Sequence, residues 1–278
     1  MNLYTIDTGF FKLDGGAMFG VVPKSLWQRT NPADENNLCT WANRLLLIED
    51  GKRLTLVDTA LGDKQDAKFF GHYLIHGDDT LDKSLAKYGF HRDDITDVFL
   101  THLHFDHCGG AIKHEGDKFV PAFRNAKFWS NQKHWEWATI NPNPREKASF
   151  LKENISPIQE SGQLNFITED QNYDTNISVR YAYGHTEAMM LPQIEYKGKT
   201  ILYMADLLPS VGHIPLPYVM SYDVRPLVTM EERKSYWQEA VDKEYILFFE
   251  HDPVNECCTL QQTEKGIRVK DIFKLSDI

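Results

Sequence analysis

The segment Thr101-His102-Leu103-His104-Phe105-Asp106-His107 follows directly on the apolar run Val98-Phe99-Leu100. Three histidines and one aspartate therefore stand within six residues, just past a predicted strand. Imidazole and carboxylate are the side chains that bind borderline divalent metals. Placing so many of them at one strand end is costly unless a positive charge lies among them. The segment predicts a metal site and a fold in which other strand ends supply the remaining ligands.

Three further predicted strands end in the same kind of residue. These strand ends are Gly184-His185-Thr186 after 177–183, Ala205-Asp206 after 200–204, and Glu250-His251-Asp252 after 245–249. A rigid sheet holds the loops at its strand ends in place, so active sites commonly gather there. The pattern predicts that these groups meet at one site.

The spacing within the first segment predicts how its residues divide between ions. In an extended backbone, residues two apart point the same way, so His102 and His104 can bind one ion. Asp106 and His107 lie past the bend and would face a neighbouring ion. Asp206 is the natural bridge between the two, because a carboxylate has two oxygens.

The motifs, taken in order, resemble the metallo-β-lactamase superfamily of metallohydrolases. The matching stretches are Leu56-Val57-Asp58-Thr59, the His-x-His-x-Asp-His of residues 102–107, Gly184-His185-Thr186, Ala205-Asp206 and Glu250-His251-Asp252. A final histidine followed by Asp252 most resembles the N-acyl homoserine lactonase and methyl parathion hydrolase branch. The resemblance covers most of the chain.

The resemblance implies a fold and a ligand set. The implied fold is a four-layer αββα sandwich of the α/β class, formed as a single domain over residues 1–278, with the metals at one edge between the sheets. Asp58 would orient a ligand histidine or its loop from behind the metals. The implied ligands of the first metal are His102, His104, His185 and Asp206, and those of the second are Asp106, His107, Asp206 and His251.

Two divalent ions, zinc first and manganese, iron or cobalt as alternatives, would hold a bridging water and lower its pKa towards about 7. The resulting hydroxide would attack a carbonyl or phosphoryl centre. Asp106 would orient the hydroxide and take up its proton as a catalytic residue.

The chain departs from the family pattern in two places. Glu187-Ala188-Met189 stands where many members have Pro-Gly-His, which leaves the metal ligands intact. Lactonases of this type often carry a tyrosine near the bridging aspartate, whereas this chain has Pro209 three residues after Asp206. His213 is the nearest candidate for a replacement catalytic residue, and an ordinary loop histidine is the alternative.

The leading function is hydrolysis of a lactone or another ester-like small molecule. The enzymatic alternatives are hydrolysis of phosphotriesters or phosphodiesters, thioesters, and β-lactams. A metal-binding sensing or structural module without turnover is the alternative from a different class. Trp27, Trp41, Trp135, Trp137 and Phe105 either line a substrate pocket or pack in the core.

Composition narrows the partners and the location. The 278 residues carry a net charge of −10, which argues against a nucleic-acid partner. No run of 18 apolar residues is present, so no membrane span is expected. Four cysteines without a CxxC pair, and an N-terminus without a secretory pattern, favour the cytoplasm. The expected partner is a small-molecule substrate, and the oligomeric state is left open.

Hydrophobic spacing predicts the helices that separate these strands. The predicted helices are Lys64 to Tyr73, Thr80 to Tyr88, a helix capped by Ser130 that runs through Ala138, Glu146 to Glu153, and Met230 to Lys243.

Overall fold

The structure is a computed structural model that describes residues 1–168 and 172–278. The chain divides into two compact units. The first unit comprises residues 1–9 and 43–171, and the second comprises residues 10–42 and 172–278. The assignment of the whole chain to a single domain stays a prediction.

The described residues form fourteen strands and eight α-helices. The strands are β1 (Asn2–Asp14), β2 (Leu38–Asp50), β3 (Arg53–Val57), β4 (Asp97–Phe99), β5 (Ile112–Glu115), β6 (Lys118–Pro121), β7 (Lys127–Ser130), β8 (Leu164–Phe166), β9 (Ile177–Ala182), β10 (Met189–Tyr196), β11 (Lys199–Tyr203), β12 (Ile246–Phe248), β13 (Cys257–Thr263) and β14 (Gly266–Phe273). The helices are α1 (Gly15–Phe19), α2 (Lys24–Trp27), α3 (Ala67–Tyr73), α4 (Leu81–Lys87), α5 (Phe105–Cys108), α6 (Gln132–Thr139), α7 (Lys152–Glu160) and α8 (Pro226–Asp242).

One six-stranded sheet has the strand order β1-β2-β3-β4-β7-β8. The strands β2 and β3 form an antiparallel hairpin, and Gly51 takes a φ of 62° at its turn. The strands β3, β4, β7 and β8 are parallel neighbours. Parallel pairing brings the carboxyl ends of β3 and β4 to the same edge, where the predicted metal ligands begin.

The apolar positions of these strands form the core of the first unit. Leu47, Leu56, Val98 and Phe128 are fully buried in one cluster. The helix α4 adds Leu81 and Leu85, which are four residues apart on one helix face as predicted. This packing fixes the strands that carry the polar ends.

The second six-stranded sheet has the order β14-β13-β12-β11-β10-β9 and belongs to the second unit. Its strands are antiparallel except for the parallel pair β11 and β12, in which Tyr203 is the register partner of Phe248. The helix α8 begins with Pro226 in its first turn and buries Tyr236, Trp237 and Ala240 on one face.

Two details of the predicted helices are wrong. The side chain that caps α6 belongs to Asn131 rather than Ser130, and it accepts the His134 N–H at 2.9 Å. The predicted helix over residues 146–153 is a short 3-10 turn followed by α7, because Phe150 and Leu151 adopt non-helical ψ angles of 88° and 121°.

Among the described residues, no helix is both long enough and apolar enough to cross a membrane.

Replacing Trp237 by alanine is expected to lower the free energy of unfolding by about 3–5 kcal/mol. The indole is 1% exposed, and its Nε1–H donates to the Ile214 carbonyl at 2.8 Å. Urea titration followed by circular dichroism measures the change. The matched control is Lys234→Ala on the exposed face of α8, which should change stability by about 0.5 kcal/mol or less. Equal effects of the two substitutions would contradict the assigned packing.

Candidate metal centre

The carboxyl ends of β3 and β4 place Asp58 beside the start of the histidine segment. The Asp58 N–H donates to the Phe99 carbonyl at 2.9 Å, which extends the parallel pairing by one residue. Asp58 Oδ1 accepts the Thr101 N–H at 2.7 Å, and Oδ2 accepts the Thr101 hydroxyl at 2.6 Å. Asp58 is fully buried, so these bonds compensate for the loss of water around its carboxylate.

Two glycines allow the histidine segment to lie against the chain that follows β3. A Cβ on Gly109 would lie 2.1 Å from the Leu61 carbonyl oxygen, and one on Gly110 would lie 2.1 Å from that of Thr59. The Thr59 N–H donates to the His107 carbonyl at 2.7 Å. Only glycine permits this approach without a backbone shift, so the two glycines hold the histidine segment close to Asp58.

The hydrogen bonds of His102 assign its proton to Nδ1. The Thr101 hydroxyl donates its hydrogen to Asp58, and the same oxygen lies 3.0 Å from His102 Nδ1. Because the hydroxyl proton is already used, Nδ1 must be the donor in this second bond. Nε2 of His102 therefore carries a lone pair.

His104 has the opposite assignment. Its Nε2 lies 3.1 Å from Oε2 of Glu146, a carboxylate that is 3% exposed, so the ring proton belongs on Nε2. The lone pair is then on Nδ1, which lies 3.1 Å from His102 Nε2. Two acceptor nitrogens this close repel each other unless a positive charge lies beside them. The pair therefore fits a divalent cation, and both residues offer ligand atoms within 4.8 Å of each other.

His107 and Asp106 form the second pair of candidate ligands in the first unit. His107 Nδ1 lies 3.1 Å from Asp58 Oδ2, which places its proton on Nδ1 and its lone pair on Nε2. That Nε2 is 3.7 Å from Asp106 Oδ2. The Asp58 carboxylate thus orients His107 directly and His102 through Thr101, which is the role that the resemblance implied for it.

In the second unit, the neighbouring parallel strands β11 and β12 place candidate ligands at their carboxyl ends. Asp206 follows β11, and His251 follows β12. Asp206 Oδ1 lies 3.0 Å from His251 Nε2, and Oδ2 lies 3.1 Å from His185 Nε2. One carboxylate therefore faces two histidines with separate oxygens, as expected of a bridging ligand.

Both candidate ligand histidines of the second unit also have an acceptor behind them. His185 Nδ1 lies 3.0 Å from Asp223 Oδ1, and His251 Nδ1 lies 2.9 Å from the Ala42 carbonyl oxygen. Burial opposes a charge on His185, but Asp206 and Asp223 outweigh it and raise the pKa to about 10. The carboxylates thus stabilise a positive charge at His185 Nε2, and a metal ion would bring a positive charge to the same place.

The second unit places His213 among packing residues. Its Nδ1 lies 2.9 Å from Ser210 Oγ, its Nε2 lies 2.9 Å from the Met18 carbonyl oxygen, and its ring stacks on Phe19 at 4.3 Å. Burial, followed by the charge of Arg233, lowers the pKa to about 3, so the ring is neutral. These contacts favour the loop-histidine alternative, and a catalytic role for His213 stays a prediction.

Most of the residues behind the candidate ligands are not marked by any sequence motif. Glu146, Asp223 and the Ala42 carbonyl each hold a histidine, yet no local pattern marks them. Trp27, Trp41, Trp135 and Phe105 are buried, and Trp137 donates its Nε1–H to Glu146. These contacts agree with the core-packing alternative, and a role in a substrate pocket stays a prediction.

Comparison with protein families identifies the chain. Residues 45–251 match the metallo-beta-lactamase superfamily, and the chain belongs to that superfamily. No curated protein sequence matches it. The predicted family and the predicted α/β metallo-β-lactamase fold class are confirmed, and the protein is a metal-dependent hydrolase of that fold.

Solved structures give the same fold. A probable metal-dependent hydrolase from Staphylococcus aureus is 26% identical, with a TM-score of 0.88 over 98% of this chain and 96% of that one. AidC, a dizinc quorum-quenching lactonase in complex with a product, is 22% identical, with a TM-score of 0.78 over 96% and 93%. An N-acyl homoserine lactone hydrolase with bound N-hexanoyl-L-homoserine is 21% identical, with a TM-score of 0.69 over 90% and 93%.

The variant Asp58→Asn is expected to lose about 1–3 kcal/mol of stability. It is also expected to bind zinc about 10–100-fold more weakly, because the amide cannot accept from all three donors at once. Urea unfolding and competition with a zinc chelator measure the two effects. Asp63→Asn, on the exposed loop after β3, is the control and should change neither quantity. Wild-type zinc affinity in Asp58→Asn would contradict the orienting role.

The stability difference between the wild type and His213→Asn is expected to shrink on acidification. The folded protein keeps His213 neutral down to about pH 3, whereas the unfolded chain binds a proton near pH 6.5. Below pH 6.5 the wild type therefore loses up to about 1.4 kcal/mol per pH unit at this position, and the variant does not. Urea titrations at several values between pH 5 and pH 7.5 test this, and a difference independent of pH would contradict it.

Proposed function

We propose that this protein hydrolyses a lactone or another ester-like bond in a small molecule and uses two divalent metal ions to do so. Family membership establishes the class of enzyme, and the ordered motifs support the ligand assignment. The proposed ligands of the first ion are His102, His104, His185 and Asp206. The proposed ligands of the second ion are Asp106, His107, Asp206 and His251.

One observation carries the metal assignment. The outer hydrogen bonds direct the lone pairs of His102 Nε2 and His104 Nδ1 towards each other across 3.1 Å. A purely structural histidine pair gains by sharing a proton, but here each remaining ring proton has another acceptor. A cation resolves the repulsion, whereas solvent or packing would favour different tautomers.

The second unit supports the bridging role proposed for Asp206. Its carboxylate is 10% exposed and faces His185 and His251 with separate oxygens. Carboxylate oxygens can bind two ions at once, so this residue is the one suited to join the two ligand sets.

When bound, two such ions would polarise the substrate carbonyl and lower the pKa of a water molecule to about 7. The Asp106 side chain is 13% exposed, whereas that of His107 beside it is fully buried. This exposure supports the proposal that Asp106 accepts the proton of the attacking water and returns it. The ester C–O bond breaks after attack at the carbonyl carbon, and the departing oxygen takes up that proton.

Imidazole and carboxylate ligands favour zinc, and manganese, iron and cobalt remain candidates because they bind the same donors. The dizinc centre named for AidC supports zinc as the first choice.

The substrate class is supported by two similar structures. Both are described as lactonases or lactone hydrolases, and both hold a product of lactone opening. We therefore propose a lactone before the phosphotriester, phosphodiester, thioester and β-lactam alternatives. The proposed partner is this small molecule, and the proposed location is the cytoplasm.

The purified protein is expected to bind two zinc ions per chain and to hydrolyse at least one lactone. Metal analysis by mass spectrometry counts the ions. A panel containing an acyl homoserine lactone, a chromogenic ester, a phosphotriester and a β-lactam identifies the substrate class. The variant Asp206→Asn should lose at least one ion and reduce kcat/KM by on the order of 10²-fold or more, because even residues behind the ligands cost 10–100-fold.

The surface variant Asp242→Asn, on α8, is the matched control and should resemble the wild type. Hydrolysis of the phosphotriester alone would contradict the lactone proposal and support phosphotriester hydrolysis instead. Two bound ions with no turnover of any ester, lactone, phosphotriester or β-lactam would contradict the proposed reaction.

A further inference from the structure

Glu146 lies directly behind His104 in the first unit. Its Oε2 is 3.1 Å from His104 Nε2, and the two side chains are 3% and 7% exposed. A charged group this deeply buried is costly unless it is fully hydrogen-bonded. The Glu146 carboxylate therefore needs hydrogen-bond donors in addition to His104.

Those partners come from the chain around α6. Glu146 Oε1 accepts from Trp137 Nε1 in α6 and from Asn143 Nδ2, the latter at 2.7 Å. The Asn143 carbonyl oxygen in turn accepts the Lys147 N–H at 3.0 Å, which closes the turn that carries Glu146. Three N–H donors thus point at one carboxylate, and the carboxylate can act towards His104 only as an acceptor.

His104 differs from the other proposed ligand histidines in the nitrogen it uses. His102, His107, His185 and His251 each direct Nδ1 to an outer acceptor and keep Nε2 for a ligand. His104 directs Nε2 to Glu146 and keeps Nδ1. In a neutral imidazole, the proton position decides which nitrogen can bind a metal.

We infer that Glu146 is a positioning residue that fixes His104 in the Nε2–H tautomer and so sets metal affinity at this position. The inference rests on the proposed metal centre. Trp137 and Asn143 act behind Glu146 by holding its carboxylate in place. The interaction with His104 requires a pure acceptor, and an amide at position 146 does not provide one.

The variant Glu146→Gln tests this because it preserves size and removes the charge. If the NH2 group of the introduced amide faces His104, it favours a proton on Nδ1, which blocks the ligand nitrogen. If the amide oxygen faces His104, the NH2 group meets the Trp137 and Asn143 donors. Both arrangements are expected to weaken zinc binding by about 10–100-fold.

Two measurements separate positioning from a general loss of structure. Chelator competition gives the zinc affinity of the folded variant. Long-range ¹H–¹⁵N spectra of the metal-free, histidine-labelled protein report the tautomer, and the His104 signals are identified by their disappearance in His104→Gln. The wild type should show Nε2–H at His104, and Glu146→Gln should shift it towards Nδ1–H. The control Glu136→Gln, exposed on α6, should change neither reading.

A second variant covers the case in which Glu146→Gln does not fold. Trp137→Phe removes one donor to Glu146 and keeps the carboxylate, so it should weaken zinc binding several-fold while the Nε2–H tautomer still predominates. Unchanged zinc affinity and tautomer in Glu146→Gln, or wild-type affinity in Trp137→Phe when Glu146→Gln does not fold, would overturn the inference. A wild type that binds no metal would overturn the proposed function instead, and the tautomer spectra would still decide whether Glu146 orients His104.

Discussion

The hydrogen bonds behind the histidines determine what this site can bind. Each candidate ligand histidine gives one ring nitrogen to an acceptor in its own unit, and only the other nitrogen remains for an ion. The acceptors are a threonine hydroxyl, three buried carboxylates and a backbone carbonyl. Because these groups are held by the fold, the direction of each lone pair is set before any ion arrives, which reduces the cost of binding.

Parallel strand pairs explain why the chemistry gathers where it does. In the first sheet the neighbours β3 and β4 end at Asp58 and at the histidine segment, and in the second sheet β11 and β12 end at Asp206 and His251. Buried strands of this kind are mostly apolar, because both faces are covered. The candidate ligands follow shortly after the last paired residues, so a mostly apolar run followed by candidate ligands appears in each unit.

The sequence could predict only those site residues that lie close to the end of a predicted strand. The candidate ligands could be recognised because His102, His104 and Asp106 follow a predicted strand within a few residues. The groups behind them could not, because Glu146 is 42 residues from His104 and Asp223 is 38 residues from His185. The helix wrongly predicted over residues 146–153 also gave no sign of a role for Glu146, because a glutamate at the start of a regular helix is usually exposed to solvent. The α6 cap was misplaced by one residue because Ser130 and Asn131 are both favourable caps.

The arrangement also links metal binding to stability. Asp58 and Glu146 are carboxylates with at most 3% exposure, and their burial is compensated by N–H and O–H donors, some of which belong to the histidines themselves. The hydrogen bonds around these carboxylates fix the ring protons of His102 and His104, so the remaining lone pairs of the two rings face each other. The lone pairs repel, and this repulsion is the cost of hydrogen-bonding the buried carboxylates. A cation that removes this repulsion binds the folded chain more tightly than the unfolded one, in which the ligand atoms are not held together. Its binding energy then adds to the free energy of unfolding, and loss of an orienting carboxylate should weaken ion binding and the fold together.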